Sequence, residues 1–368
     1  MAPISNRILS LDVFRGLVIV LMIIVNSQSD SGYSLLLHAD WNGFTLADLV
    51  FPAFLFIVGL TAVISLNRHL SLENKTELYK SILKRSIIMF TLGILLAIFP
   101  WNIHFETLRI YGILQRIAIC YLVCSLIYLN TSLRTQILLF AIIIIAYWFF
   151  MTQIPVPHFG FNSLTADGSW VAYVDQMIFS SAHLHDKPYD PEGFLSTFPA
   201  IATTLFGVII GQILLNNRDR KLKNFYLMCI IGFISLICGW FWSYTFPINK
   251  NLWSSSYVLW SGGISLLLFA ACFLLTDLLG YQKWALPFKI FGMNALFAFI
   301  VHVLFLKAQF KIKLTYHGSE TNLKDVITQS LFSHFNPENA VLLYALNFLL
   351  LNFLIVLFLY KRKIFIRI

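Results

Sequence analysis

Long apolar runs recur along this chain with almost no charge inside them, and that feature limits the folds open to it. Stretches of about 18 or more mostly apolar residues cross the hydrocarbon core of a bilayer as helices. They lack the period-two alternation of barrel strands. The runs place spans at about 11–29, 46–66, 82–100, 110–129, 135–152, 193–215, 225–245, 253–276, 286–307 and 340–360, roughly ten in all. Composition agrees, because 58% of the 368 residues are hydrophobic, 12% are charged and the mean hydropathy is +0.77, too apolar for a soluble domain. The expected fold is all-α, a polytopic integral membrane protein. It forms a single transmembrane domain over 1–368 with a long extracytoplasmic loop at about 153–192.

Charge sets the expected orientation. Arg68, Lys75, Lys80, Lys84 and Arg85, then Arg134, then Arg218, Arg220, Lys221 and Lys223, then Lys283, fall on the same side as Arg7 and as Lys361, Arg362, Lys363 and Arg367. The positive-inside rule makes that side cytoplasmic, with both termini on it. The net charge of +9 is therefore read as a topology signal and not as a nucleic-acid footprint. Nothing before Arg7 resembles a cleavable signal, so the first span is expected to stay. All five cysteines lie in apolar runs, and neither a disulfide framework nor a metal site is expected. The opposite side carries His38–Pro52, Trp101–Leu108, Gln153–Glu192, Phe246–Asn251 and Lys311–Asn339. The segment from Gln153 is longer than a connection requires and reads as a lid or substrate shelf.

Polar residues at membrane depth are expensive and mark function. His38–Pro52 is a polar island between two spans, and Thr45 followed by Asp48 reads as a capping box at the next helix start. His38 exchanges a proton near neutral pH, while Trp41, Asn42 and Gly43 offer a stacking surface, an amide and a tight turn. In the first span Arg15, Ile19, Met22 and Asn26 share a face, with Arg15 and Asn26 about 16 Å apart along the axis. The bland alternative is a local Asp12–Arg15 ion pair, with Asn26 merely ending the helix. Arg109, Gln115 and Arg116 are expected to open the fourth span, both arginines on one face. A buried Arg116 needs an anion, from a ligand phosphate or from Asp12, Asp48 or Glu192. Asp48 has its own plain reading as the capping acid. Pro199 is expected to kink the sixth span. Asn294 and His302 sit in the ninth, His302 more simply as a hydrogen-bonded structural residue. These features fit an enzyme, and nearly as well a transporter.

Leu9–Gly16 (LSLDVFRG), the His38–Pro52 island and Leu108–Arg116 (LRIYGILQR) resemble the heparan-α-glucosaminide N-acetyltransferase family and its bacterial relatives. So do Asp190–Gly193 (DPEG), Pro199–Thr203 (PAIAT), Phe246–Lys250 (FPINK) and Gly292–Leu296 (GMNAL), and the resemblance covers nearly the whole chain. It implies a transmembrane acetyl-CoA-dependent acyltransferase that modifies an amino sugar or glycan end on the extracytoplasmic side. His38 matches the catalytic histidine and Asn26 the asparagine before it. Arg15, Arg116 and Asn294 are then candidates for the cosubstrate, and Trp41, Asn42, Asp48 and Glu192 for the acceptor. The chain starts shortly before its first span, which fits a bacterial inner-membrane relative whose acceptor need not be heparan sulfate. The implied partners are acetyl-CoA, a glycan acceptor and membrane lipid, with no metal and no nucleic acid, and a homodimer left open. A sugar O-acyltransferase is the near alternative and an amino-sugar transporter the distant one.

Overall fold

The computed structural model describes residues 8–70, 74–100, 104–316 and 318–366; Arg7, Trp101 and Arg367, named above, lie outside the described residues. The chain runs α1 (Leu9–Asn26), α2 (Leu46–His69), α3 (Lys75–Ile98), α4 (Ile113–Asn130), α5 (Leu133–Gln153), α6 (Trp170–Phe179), α7 (Thr197–Asn216) and α8 (Lys221–Trp242). There follow α9 (Ser255–Phe273), extended by a π-helical turn Leu274–Leu278, then α10 (Leu286–Met293) and α11 (Ala295–Lys311). A small hairpin of β1 (Lys313–Tyr316) and β2 (Ser319–Asn322) leads to α12 (Leu323–Phe332) and α13 (Pro337–Lys361). All ten expected spans are present as helix. The ninth is broken, since α10 and α11 meet at 83° around Asn294.

Inside lipid the apolar surface of a helix gains nothing from leaving its surroundings, so helices associate where small residues let backbones approach. Two such contacts set the centre of the bundle. A Cβ on Gly59 of α2 would run into the Thr204 carbonyl of α7, and one on Gly207 into the Phe56 carbonyl of α2. Likewise Gly16 of α1 lies against the Phe288 carbonyl, and Gly292 against that of Asp12. Between these contacts the rings of Phe14, Phe56, Phe206 and Phe269 pack on one another. Helices α5, α8 and α13 are peripheral and show lipid-facing aliphatic side chains such as Ile142, Ile230 and Leu350.

Two expectations change. Pro199 lies in the first turn of α7, where its missing N–H has no carbonyl to serve, so it does not kink the helix. The interior proline is Pro52 of α2. Its ring leaves the carbonyl four residues earlier, on Asp48, without an amide donor, and the Tyr257 hydroxyl donates to that carbonyl at 2.7 Å. Arg109 lies before α4 and not on it, because the helix begins only at Ile113. The segment 153–192 carries the short helix α6.

The α2–α7 contact is directly testable. Gly59→Ala drives a methyl into backbone that cannot yield, and we expect a loss of about 1–3 kcal/mol, read as a lower melting temperature in detergent. An unchanged melting temperature would show that the two helices do not touch there.

Candidate active site

A cavity of about 580 Å³ runs through the bundle between α1, α2, α3, α4, α10 and α11. One face of α2 lines it from Ala47 through Val50, Phe54, Ile57, Thr61 and Ser65 to Arg68 and His69. That spacing of three and four residues keeps the wall on a single stripe, and 22 rises of 1.5 Å make it about 33 Å long, close to bilayer thickness. Arg15, Arg68, His69 and Arg85 gather at one end, and Asn26, His38, Glu192 and Lys250 at the other. Met22, Phe54, Ile57 and Val58 lie between.

The His38 end is organised by Asp48. The capping box is formed, with Asp48 Oδ2 accepting from the Thr45 amide at 3.1 Å. The same oxygen accepts from the Thr45 hydroxyl and the Ala39 amide, while Oδ1 accepts from His38 Nδ1 at 2.8 Å. A carboxylate only accepts, so the imidazole proton sits on Nδ1 and Nε2 keeps its lone pair. Asp48 is thus both cap and orienter. Asn26 is exposed to the cavity, and its Nδ2 donates to Nε2 of the fully buried His302 at 3.1 Å. His302 thus anchors Asn26.

Glu192 is held by a charge cluster. Arg109 donates through Nε to Asp190 Oδ2 at 2.7 Å and through Nη2 to both Asp190 and Glu192. Burial pushes the Glu192 carboxyl up, but Arg109, Arg116 and Lys250 pull harder and leave it below the ordinary carboxylate range. Burial also opposes the Arg109 charge, and the two carboxylates more than restore it. Beneath this turn the Asp175 carboxylate accepts from the amides of Asp190 and Phe194 at 3.1 and 3.0 Å. Its burial raises it to about 6.

Of the residues expected at a site, Arg15, Asn26, His38 and Glu192 line the cavity. Arg15 also makes the anticipated local pair with Asp12, at 3.3 Å, and donates to the Gly292 carbonyl at 3.1 Å. Trp41 donates to the Leu164 carbonyl and packs edge-on against Tyr189, and Asn42 accepts from Asn249, so both brace loops around the site. Arg116 is not among the residues that line the cavity. It is fully buried, donates to Gly193 O and Ser196 Oγ, and stacks on Trp253 with 5.0 Å to the ring centre. Asn294 uses both ends of its amide on the backbone of Ile364 and Ile366. Sequence reasoning passed over Lys250, Arg68, His69 and Arg85 as cavity residues. Arg68 and Arg85 looked like ordinary topology charges, His69 was not singled out, and only the FPINK stretch drew attention to Lys250.

A sequence model described as heparan-alpha-glucosaminide N-acetyltransferase, catalytic, matches residues 7–242. The chain belongs to this family. The human heparan-alpha-glucosaminide N-acetyltransferase is 27% identical over 395 residues, covering 90% of this chain and 58% of the human protein. The mouse protein of the same name is 29% identical over 360 residues, covering 81% of this chain and 53% of its own length. The chain thus spans a little over half the length of these relatives. For this family member the charge cluster gives a clear expectation. Arg109→Ala removes the cation to which both buried carboxylates, Asp190 and Glu192, are hydrogen-bonded, at a cost of about 3–5 kcal/mol, seen as a drop in thermal stability. Arg109→Lys keeps the charge but not the two-pronged geometry and should fall between.

Proposed function

We propose that this protein is a transmembrane N-acetyltransferase, moving acetyl from acetyl-CoA at the Arg15 end of the cavity to the amine of an amino sugar or glycan end at the His38 end. The observation that carries this is the cavity itself, about as long as a bilayer is thick, with cations at one mouth and a histidine–carboxylate pair at the other. A CoA thioester has that polarity. Its nucleotide end is strongly anionic, its arm is slender, and its reactive end is a small neutral acyl group. Arg15, Arg68 and Arg85 suit the phosphates, Arg by bidentate hydrogen bonding. The charge asymmetry of the loops supports a cytoplasmic location for that end. A bacterial cytoplasmic membrane, with both chain ends inside, is the setting that the sequence resemblance favours.

The acceptor arrives as an ammonium, which the ionised Glu192 attracts. It gives up one proton to water to become the neutral amine; His38 Nε2 takes the second as the nitrogen attacks, and Asp48 stabilises the imidazolium that forms. The nitrogen bonds to the thioester carbonyl carbon, and the Asn26 amide, held by His302, donates to the oxygen as it gains charge. Collapse expels the thiolate. Transfer in one step and transfer through acetyl-His38 use the same groups. An anionic Glu192 at the mouth favours an amine over a hydroxyl acceptor. Purified protein given radiolabelled acetyl-CoA and a panel of amino sugars and glycan fragments tests the reading; label in no amide product would sink it.

Two further outcomes are expected. His38→Ala should lower acetyl transfer by about 10²–10⁴-fold while donor affinity stays near wild type, because the base acts on the acceptor. Near-normal turnover of folded His38→Ala protein would remove His38 from the chemistry. For sidedness, cysteines at the exposed Asp167 and Asp219 report opposite faces. An impermeant reagent applied outside intact cells should label the first and spare the second, and the reverse pattern would reject the direction of transfer.

A further inference from the structure

The loop between α8 and α9 is built to hold one side chain still, and the steps above leave that side chain unused. Asn249 is fully buried; its Oδ1 accepts from the Leu252 amide at 2.8 Å and its Nδ2 donates to Asn42 at 3.1 Å. The Ser254 hydroxyl donates to the Pro247 carbonyl, and the Ile248 carbonyl accepts from the Gly43 amide. Both strands of this bracing run to the island that carries His38. What they present is Lys250, which lines the cavity with Nζ 3.1 Å from each ring nitrogen of His38.

A lysine kept only to neutralise a carboxylate would close on it. Here the nearest Asp48 oxygen is 3.9 Å from Nζ, and the ammonium lies nearer to the imidazole than to the acid. The Asp48 oxygens also accept from His38, Ala39 and Thr45, so Lys250 is only one of the groups that stabilise its charge. An ammonium about 3 Å from the base is close to where reacting atoms must lie, because the attacking amine hydrogen-bonds to Nε2 and the carbonyl oxygen is two bonds further on. Asn26 offers that oxygen a single neutral donor. A cation at this mouth stabilises a developing alkoxide more than a neutral amide does.

We propose that Lys250 is a catalytic residue, donating from Nζ to the carbonyl oxygen of the transferring acetyl group as that oxygen becomes an oxyanion. The inference rests on the acyl-transfer reading of the cavity. The carbon–nitrogen bond forms as the carbonyl pair moves onto oxygen beside Lys250, and the amine proton goes to His38. The pair returns, the carbon–sulfur bond breaks, and the thiolate takes the proton that His38 holds. Burial works against the Lys250 charge, Asp48 and Glu192 support it, and the balance leaves it somewhat more acidic than an ordinary lysine. Such a donor gives its hydrogen bond to an oxyanion readily.

Lys250→Met and Lys250→Arg test this in full-length protein, with kcat and both KM values measured beside the melting temperature. We expect Lys250→Met to lose about 10²–10³-fold in kcat, with both KM values within a few fold of wild type. Lys250→Arg, which keeps a cationic donor, should recover a substantial part of the rate. A donor analogue carrying a fluoroacetyl thioester, whose carbonyl needs less help, should shrink the Lys250→Met deficit. The proposal is overturned by Lys250→Met protein with normal kcat, by a defect confined to the acceptor KM, or by a deficit that fluoroacetyl leaves unchanged. Wild-type protein that acetylates no amine overturns the functional reading instead, and this proposal with it.

Discussion

The Asp48 carboxylate stands where the irregular island ends and the long wall of the cavity begins. One oxygen holds the backbone and hydroxyl of Thr45 and the amide of Ala39, and the other holds His38. The backbone of the same residue is tied as well, because Tyr257 of α9 fills the hydrogen bond that Pro52 cannot make. Side chain and main chain are therefore fixed from two directions. The position of the imidazole relative to α2 is set by these bonds, although His38 lies in a loop and its side chain is half exposed. A site on a loop is usually less exact than one on a helix. Here the helix start reaches out and takes the loop residue into its own cap.

Much of this was legible in the sequence. The ten spans follow from apolar runs, since a bilayer demands that length whatever the partners. The capping box and the shared face of Arg15, Met22 and Asn26 follow from local spacing, and both are present. Other features were hidden for physical reasons. An apolar window averages over the single residue at which α10 turns into α11, so the break at Asn294 left no trace. Pro199 and Pro52 look alike in one dimension; only the helix start distinguishes a harmless proline from one that orphans a carbonyl. The meeting of Lys250 with His38, 212 residues apart, depends on loop bracing that no periodicity encodes. Arg116 was rightly expected to be buried, but its partners are a backbone carbonyl, a serine and aromatic faces rather than an acid.

Helix ends within the bundle show how this chain manages backbone carbonyls where water is scarce. Lys324 of α12 is buried and donates to the Gln28 carbonyl just past α1, while the rings of Phe310 and Tyr344 lie over its ammonium. Lys307 of α11 donates to the Leu96 carbonyl near the end of α3. Each places a cation at the negative end of a helix and satisfies an acceptor left over by the helical pattern. Asn294 does the same for extended chain, clasping the backbone of residues 364 and 366 beside the cavity end that holds Arg15. A lysine or an asparagine at these positions costs the fold little because each answers a group that would otherwise be stranded.

Met22, Phe54, Ile57 and Val58 line the middle of a passage whose two mouths are polar. Thr61 borders them, but its hydroxyl is already turned onto the Ile57 and Val58 carbonyls at 2.8 and 3.1 Å. An apolar lining of this kind gives a bare ion nothing to replace its hydration shell. Much of the membrane voltage then falls across it, worth about 2.3 kcal/mol per elementary charge for each 100 mV. An uncharged acyl arm is indifferent to that field. Under the proposed function the group that crosses this stretch is an uncharged acyl, so its passage does not draw on the membrane voltage.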